Sequence, residues 1–334
     1  MSGPGAKRWG GLLFLATVWL SQTATGSGSL ETKGLVLPLV CEIGKTCWVA
    51  NYVDVDPSGV ANDFRCLRRT YDQHDGVDFA IRDLGVMKEG VPVVATASGV
   101  VHSMRDGMED AGVSGSIAGR ECGNGVIVDH DGGWQTQYCH LRKGSVEVKP
   151  GDHVDAGTFL GLVGLSGKTE FPHVHLTVRR KGQVIDPFTG REMKAGCGLP
   201  AKPLWREGQK VDYEPVALYN AGFSVREPDI EAIRKGQRNE GPFPATSAVL
   251  IFWVDILGVQ EGDRMLFRIT RDEQVVLDES QTVAKTQARR FAYMGKRRPG
   301  ASWPAGTYTG QVTLMRMLDR QDMKYSITST ATIQ

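Results

Sequence analysis

The sequence predicts a mainly β protein, an antiparallel β-sheet domain followed by an immunoglobulin-like β-sandwich. Three observations carry that expectation. Short runs rich in Val, Ile, Thr and aromatics recur along the chain, bounded by Gly or Asp. Helical periodicity is nearly absent between residues 79 and 186. A shift in composition with Pro200, Pro203 and Gly208 separates two series of such runs. The 334 residues are enough for two ordinary domains, each with its own core.

In the first series, strands are expected over 91–97, 99–103, 126–130, 134–140, 146–154, 159–165 and 174–179. Asp131-Gly132-Gly133 reads as a hairpin turn between two of them. After the break, Asp229 is placed to cap one or two helical turns over 229–235. A Gly- and Pro-rich loop follows to residue 247. Strands return over 248–257, 264–270, 275–279, 289–294, 308–317 and 325–333. So many short strands in the last stretch suggest the sandwich, which here lacks cysteine and histidine. Chemistry is therefore expected in the first domain.

The N-terminus has Lys7 and Arg8, an apolar run over 10–20, then small and polar residues. That order is that of a secretory signal peptide, with cleavage expected near Gly26. An uncleaved anchor is the alternative, but the run is about half the roughly 20 apolar residues of a spanning helix. The expected division is signal peptide 1–26, a disulfide-containing segment 27–70, a catalytic domain 71–199, a linker with a short helix 200–241, and an accessory sandwich 242–334. Net charge is +1, and a balance so even gives no electrostatic case for nucleic acid.

Six cysteines lie between Cys41 and Cys197. In an exported chain an even number reads as a disulfide framework, and no CxxC pair suggests a cysteine zinc site. Cys122 and Cys139 flank the hairpin and are expected to meet across it. Cys41 with Cys47 would close a small loop, leaving Cys66 with Cys197. Only the hairpin pairing has a structural argument.

Four of the seven histidines stand in informative contexts. His74-Asp75-Gly76-Val77-Asp78 spaces an imidazole and a carboxylate by four, with Gly76 permitting a tight turn. His173-Val174-His175 puts two imidazoles on one strand face, because side chains alternate with period two. His140 closes a strand. Imidazole nitrogen and carboxylate oxygen are usual ligands of zinc, and a catalytic zinc keeps three protein ligands. A lone histidine is more often structural, and Asp with Gly is expected in any surface turn. What outweighs those readings is the surrounding pattern.

From residue 71 to 187 the sequence resembles the lysostaphin/LytM-type zinc endopeptidases that cut peptidoglycan cross-bridges. The resemblance rests on His74-x-x-x-Asp78, Gly90-Val91-Pro92-Val93, Gly125-Val126-Ile127-Val128-Asp129-His130 and Tyr138-x-His140-Leu141. It continues through Val148-x-x-Gly151-Asp152-x-Val154, Gly161-x-x-Gly164-x-Ser166-Gly167, Pro172-His173-Val174-His175 and Asp186-Pro187. It implies His74, Asp78 and His175 as zinc ligands, with His140 and His173 as the catalytic histidines. A zinc-activated water would then hydrolyse stem or cross-link peptides of peptidoglycan, in a periplasm or outside the cell.

Two departures bear on the substrate. Thr169-Glu170-Phe171 replaces the small Ser-Thr-Gly run common in that family, placing a charge and a ring beside the groove. The connection over 81–89 is longer than usual and is expected to shape a groove wall. Tyr71 reads as a core tyrosine, with an oxyanion donor as the other reading. Two rivals remain: a non-catalytic module of the same fold that binds wall or activates an amidase, and a secreted general protease. All three expected ligands are present, which favours the enzyme.

Overall fold

The computed structural model describes residues 1–3, 5, 34–113, 118–237 and 241–334. The apolar run and cleavage site expected within 1–26 lie outside the described residues. Among the described residues no helix is long and apolar enough to cross a membrane.

The first unit holds β1 (Cys47–Asn51), β2 (Val77–Ile81), β3 (Pro92–Val94), β4 (Gly99–Arg105), β5 (Asn124–His130) and β6 (Trp134–Leu141). It continues with β7 (His153–Val154), β8 (Phe159–Leu162), β9 (His173–Arg180), β10 (Gln183–Asp186) and β11 (Arg191–Glu192). The main sheet runs β1-β2-β9-β6-β5-β4-β7, with β10 against β9 and β11 against β10, while β3 and β8 pair separately. Every one of these pairings is antiparallel. The centre of the sheet is buried on both faces, so β9 reads His-Val-His-Leu-Thr-Val with all six residues buried.

Residues 34–70, expected as a segment apart, pack into this same unit. Strand β1 pairs with β2, and Leu35, Leu37, Leu39, Tyr52, Val53 and Val55 join the core with Phe79, Val174 and Leu176. The chain arriving at Leu35 lies beside the chain leaving at Trp205: Leu35 N–H donates to Leu204 and Arg206 N–H to Leu35, both at 2.8 Å. Disulfides join Cys41 to Cys47, Cys66 to Cys197 and Cys122 to Cys139. The strand expected over 146–154 shrinks to β7. Pro150 has no N–H for a ladder, and Asp152 turns the chain by accepting from Lys149 N–H at 2.9 Å.

The connection over 81–89 contains helix α1 (Leu84–Glu89), capped by Asp83 through Val86 N–H. Helix α2 (Ile230–Arg234) starts at Asp229, as its capping geometry predicts. The stretch 200–241 also supplies a strand, β12 (Ala217–Ser224). It pairs with β13 (Val249–Val259), which pairs with β16 (Gln287–Arg297). The facing sheet is β15-β14-β17-β18, made of β14 (Arg264–Arg271), β15 (Gln274–Thr282), β17 (Gly306–Leu318) and β18 (Gln321–Ile333). Alternate residues of both sheets, such as Phe252, Val254, Phe267, Ile269, Val312 and Leu314, fill the core between them.

The two units meet along β1. Trp48, Ala50 and Ala80 of the first unit pack on Ala217, Tyr219 and Leu257 of the second, with the Trp48 and Tyr219 rings edge to face at 5.7 Å. Buried Arg69 reaches across to the carbonyl of Glu214 at 3.3 Å and lies against Gly258, where a Cβ would collide with it.

Candidate active site

The structure brings His74, Asp78, His140, His173 and His175 together on one face of the main sheet. The register explains how. Asp78 faces His175 across β2 and β9, and Cys139, one residue before His140, faces His175 across β6 and β9. His74 stands in the turn entering β2. A Cβ on Gly76 would stand 2.5 Å from His175 Nε2, so the turn comes this close only because residue 76 is glycine.

Each imidazole is tied down from outside. His74 Nδ1 bonds the Tyr52 carbonyl at 2.6 Å, His140 Nδ1 the Ser166 carbonyl at 2.8 Å, and His173 Nδ1 the Phe171 carbonyl at 2.9 Å. A carbonyl only accepts, so these nitrogens carry the hydrogen and leave each Nε2 with a lone pair. His175 is turned the other way. Its Nε2 meets Thr177 Oγ1 at 3.0 Å and the Asp75 carboxylate at 3.2 Å, which leaves Nδ1 facing inward.

Those inward atoms converge on one carboxylate oxygen. Asp78 Oδ1 lies 2.8 Å from His175 Nδ1, 3.2 Å from His74 Nε2 and 3.3 Å from His173 Nε2. The His74 and His175 nitrogens are 3.1 Å apart. Ligand atoms of His74, Asp78 and His175 all lie within 4.8 Å of one another, and all three residues are buried. Lone pairs this close repel unless a cation sits among them, and two nitrogens with one oxygen are a donor set that suits zinc. Asn51 fixes the remaining oxygen, donating from Nδ2 to Asp78 Oδ2 at 2.8 Å.

The same contacts set the charges of these groups. Burial opposes ionisation of Asp78, yet the surrounding histidines hold its carboxyl well below the usual range. Burial likewise opposes a charge on His175, but hydrogen bonds to Asp75 and Asp78 and their charges push it up to about 9. His140 goes the other way. Burial, reinforced by repulsion from His173 and His175, pushes it down to about 3, so it is neutral at neutral pH.

His140 also has a φ of 65°, a left-handed backbone uncommon for a non-glycine residue. Its N–H donates to Cys122 at 2.8 Å, and its carbonyl accepts from Gly164 at 3.0 Å. The site opens into a cavity of about 310 Å³ lined by His140, His175, Tyr71, Gln137, Lys168 and Arg179. Tyr71 is not in the core. It is 55% exposed and lies with its ring 4.5 Å from that of His74, at the rim of the site.

Asp75, Asn51, Thr177 and the carbonyls of Tyr52 and Ser166 escaped the sequence reading. Asp75 and Thr177 had a local signal, since one adjoins His74 and the other lies on the His173-x-His175 face. Asn51 had none. His102, His130 and His153 stay outside the cluster, with His102 bonded to Asp129 at 2.7 Å and His130 to the Ser98 carbonyl at 2.8 Å.

A buried His-Asp-His donor set opening into a cleft of a mainly β domain is an arrangement able to hold a catalytic metal ion. The comparisons narrow the reading: residues 72–187 match Peptidase family M23. The chain is 31% identical over 125 residues to the DD-carboxypeptidase/endopeptidase Mpg of Neisseria meningitidis, a match covering 37% of this chain and 24% of that protein. It is 31% identical over 131 residues to the peptidoglycan DD-endopeptidase ShyA of Vibrio cholerae, covering 39% of this chain and 26% of that one. The matched part therefore spans about a quarter of these relatives' length. The catalytic domain of the antimicrobial peptidase lysostaphin from Staphylococcus simulans is 25% identical, with 41% of this chain and 85% of that chain covered and a TM-score of 0.27.

Proposed function

We propose that the protein is an exported zinc metalloendopeptidase that hydrolyses peptide bonds in the stem or cross-link peptides of peptidoglycan, in a periplasm or outside the cell. The observation that carries the reading is the outward anchoring of four histidines, three of which turn their free nitrogens onto Asp78 Oδ1. His74, Asp78 and His175 would hold the ion. Zinc, when bound there, supplies a Lewis acid that polarises the scissile carbonyl and lowers the pKa of a water toward ~7.

The chain's own groups do the rest. His140 has its Nδ1–H committed to the Ser166 carbonyl. Its Nε2 is therefore the base that takes a proton from the attacking water and returns one to the leaving amine. His173, its Nδ1–H committed to Phe171, stands on the other side of Asp78 and steadies charge developing on the carbonyl oxygen when its Nε2 is protonated. One matched relative, ShyA, is named a peptidoglycan DD-endopeptidase, and another, Mpg, a DD-carboxypeptidase/endopeptidase, which supports the substrate class.

The test is mass analysis of fragments released from purified peptidoglycan by the zinc-loaded protein and by the His175→Ala variant. We expect new amine termini from the first and none from the second, with the variant losing zinc on dialysis. Stoichiometric zinc in that variant would remove His175 from the ligand set. No fragment from the zinc-loaded protein would favour the non-catalytic reading.

A further inference from the structure

The sandwich and the peptidase sheet enclose a second cavity, of about 520 Å³, a size typical of ligand pockets. It lies one layer of side chains from the site. Phe171 lines it and packs its ring 4.6 Å from that of His173. Asn51 lines it and holds Asp78. Ala80 in its floor is paired with His173 and lies two residues from Asp78, so cavity and site share one sheet face. A substrate crossing that face from the open side meets the histidines first and this cavity next.

The two walls carry opposite charge. On the sandwich side, fully buried Asp255 binds Arg234 at 2.9 Å and Arg289 at 2.8 Å. One carboxylate against two guanidinium groups leaves that wall positive, and Lys235 balances Glu231 beside them. On the peptidase side Arg82 is paired with Asp83 at 3.1 Å. Glu170 is exposed at the cavity and has no hydrogen-bond or ionic partner among the described residues, which leaves this wall negative.

We propose that this cavity is the specificity pocket for one arm of the substrate. It takes a short peptide segment bearing both a free carboxylate and a free ammonium. The carboxylate lies toward Arg289 and Lys235, and the ammonium toward Glu170. The sandwich is thereby part of the substrate site. This inference rests on the peptidase reading above, and its test separates the two.

The probe is cross-linked muropeptide released from purified peptidoglycan by a muramidase, used as it is, with its amines acetylated, or with its carboxylates amidated. Cleavage is followed with the full zinc-loaded chain, and binding by calorimetry with the full-length His140→Ala variant. Exposed Ala288 borders the cavity, so Ala288→Trp fills it without touching either core. That substitution raises KM and weakens binding about tenfold while kcat stays within about twofold. Acetylation and amidation each weaken binding to the unsubstituted pocket. Glu170→Gln abolishes only the effect of acetylation, and Lys235→Gln only that of amidation. Normal cleavage with none of the three substitutions altering KM or binding overturns the pocket and leaves the peptidase standing. Binding with both charge dependences but no released fragment overturns the peptidase and leaves the pocket standing.

Discussion

His140 hangs from the carbonyl oxygen of Ser166, which lies 2.8 Å from its Nδ1 and leaves Nε2 as the ring's free nitrogen. His173 is held in the same manner by Phe171 at 2.9 Å. In the proposed mechanism neither ring is needed to retain the ion. His140→Ala and His173→Ala are therefore expected to keep one zinc per chain and to lower kcat by roughly 10²–10⁴, the range for general acid–base groups. Elemental analysis beside kinetics decides the matter. Loss of metal from either variant would move that histidine into the ligand set.

Asp75 stands on the side of the His175 ring away from Asp78, accepting from Nε2 at 3.2 Å while Arg179 lies 3.3 Å from its other oxygen. Carboxylates in that position fix the ring and raise its basicity. Asp75→Ala is expected to weaken zinc binding by about 10–100-fold, measured by competition with a chromophoric chelator. Wild-type affinity in this variant would show that Thr177 alone orients the ring.

Far from the histidines, Asp186 is fully buried. Burial pushes its carboxyl up to about 6, against the pull of hydrogen bonds from Phe188 N–H and the Thr189 hydroxyl. The sign follows from linkage. A carboxyl whose folded pKa is raised contributes most when protonated, below its unfolded value near 4, and that contribution is lost as pH rises through about 6. Asp186→Asn should therefore gain on the wild type between about pH 4 and 7, by up to about 3 kcal/mol. Urea unfolding of both proteins across that range gives the difference, and a flat difference would mean an ordinary carboxyl.

The Cys122–Cys139 bridge fixes the residue next to His140, whose N–H also donates to Cys122. Breaking it with the double variant Cys122→Ser, Cys139→Ser should cost roughly 2–5 kcal/mol. Activity should fall at temperatures where circular dichroism still reports a folded sheet, because the left-handed backbone at His140 relaxes first. Coincident loss of activity and sheet signal would argue against a local role for the bridge.

The residues of the histidine cluster are legible in the sequence because their signals are local. His74 and Asp78 share one turn, and His173 and His175 alternate on one strand. The supports were not. Tyr52 and Asn51 come from β1 and its edge, where residues 47–50 read as a short continuous apolar run that periodicity cannot assign. Strand β12 was taken for linker because Asn220, Ala221 and Gly222 dilute its β-branched content. Its place is set by a partner, since the Trp253 ring fills the space where a Gly222 side chain would be. The stretch 146–154 errs the other way, for alternating Val146 and Val148 imitate a strand that Pro150 cannot continue. Tyr71 looked like core because a tyrosine beside a turn gives no sign of which face is wet.

The bridge between Leu35 and Trp205 has a consequence for how such a chain can be assembled. The arriving and departing backbone of the first unit run side by side, joined by two hydrogen bonds. A unit whose two ends meet can be spliced into a host loop as a cassette, or re-cut elsewhere and joined here by a short linker. Modular transplantation of this kind leaves the histidine face untouched, while the choice of neighbour decides what stands over β1. In lineages that shuffle domains, catalytic chemistry and substrate choice can then be inherited from different parents.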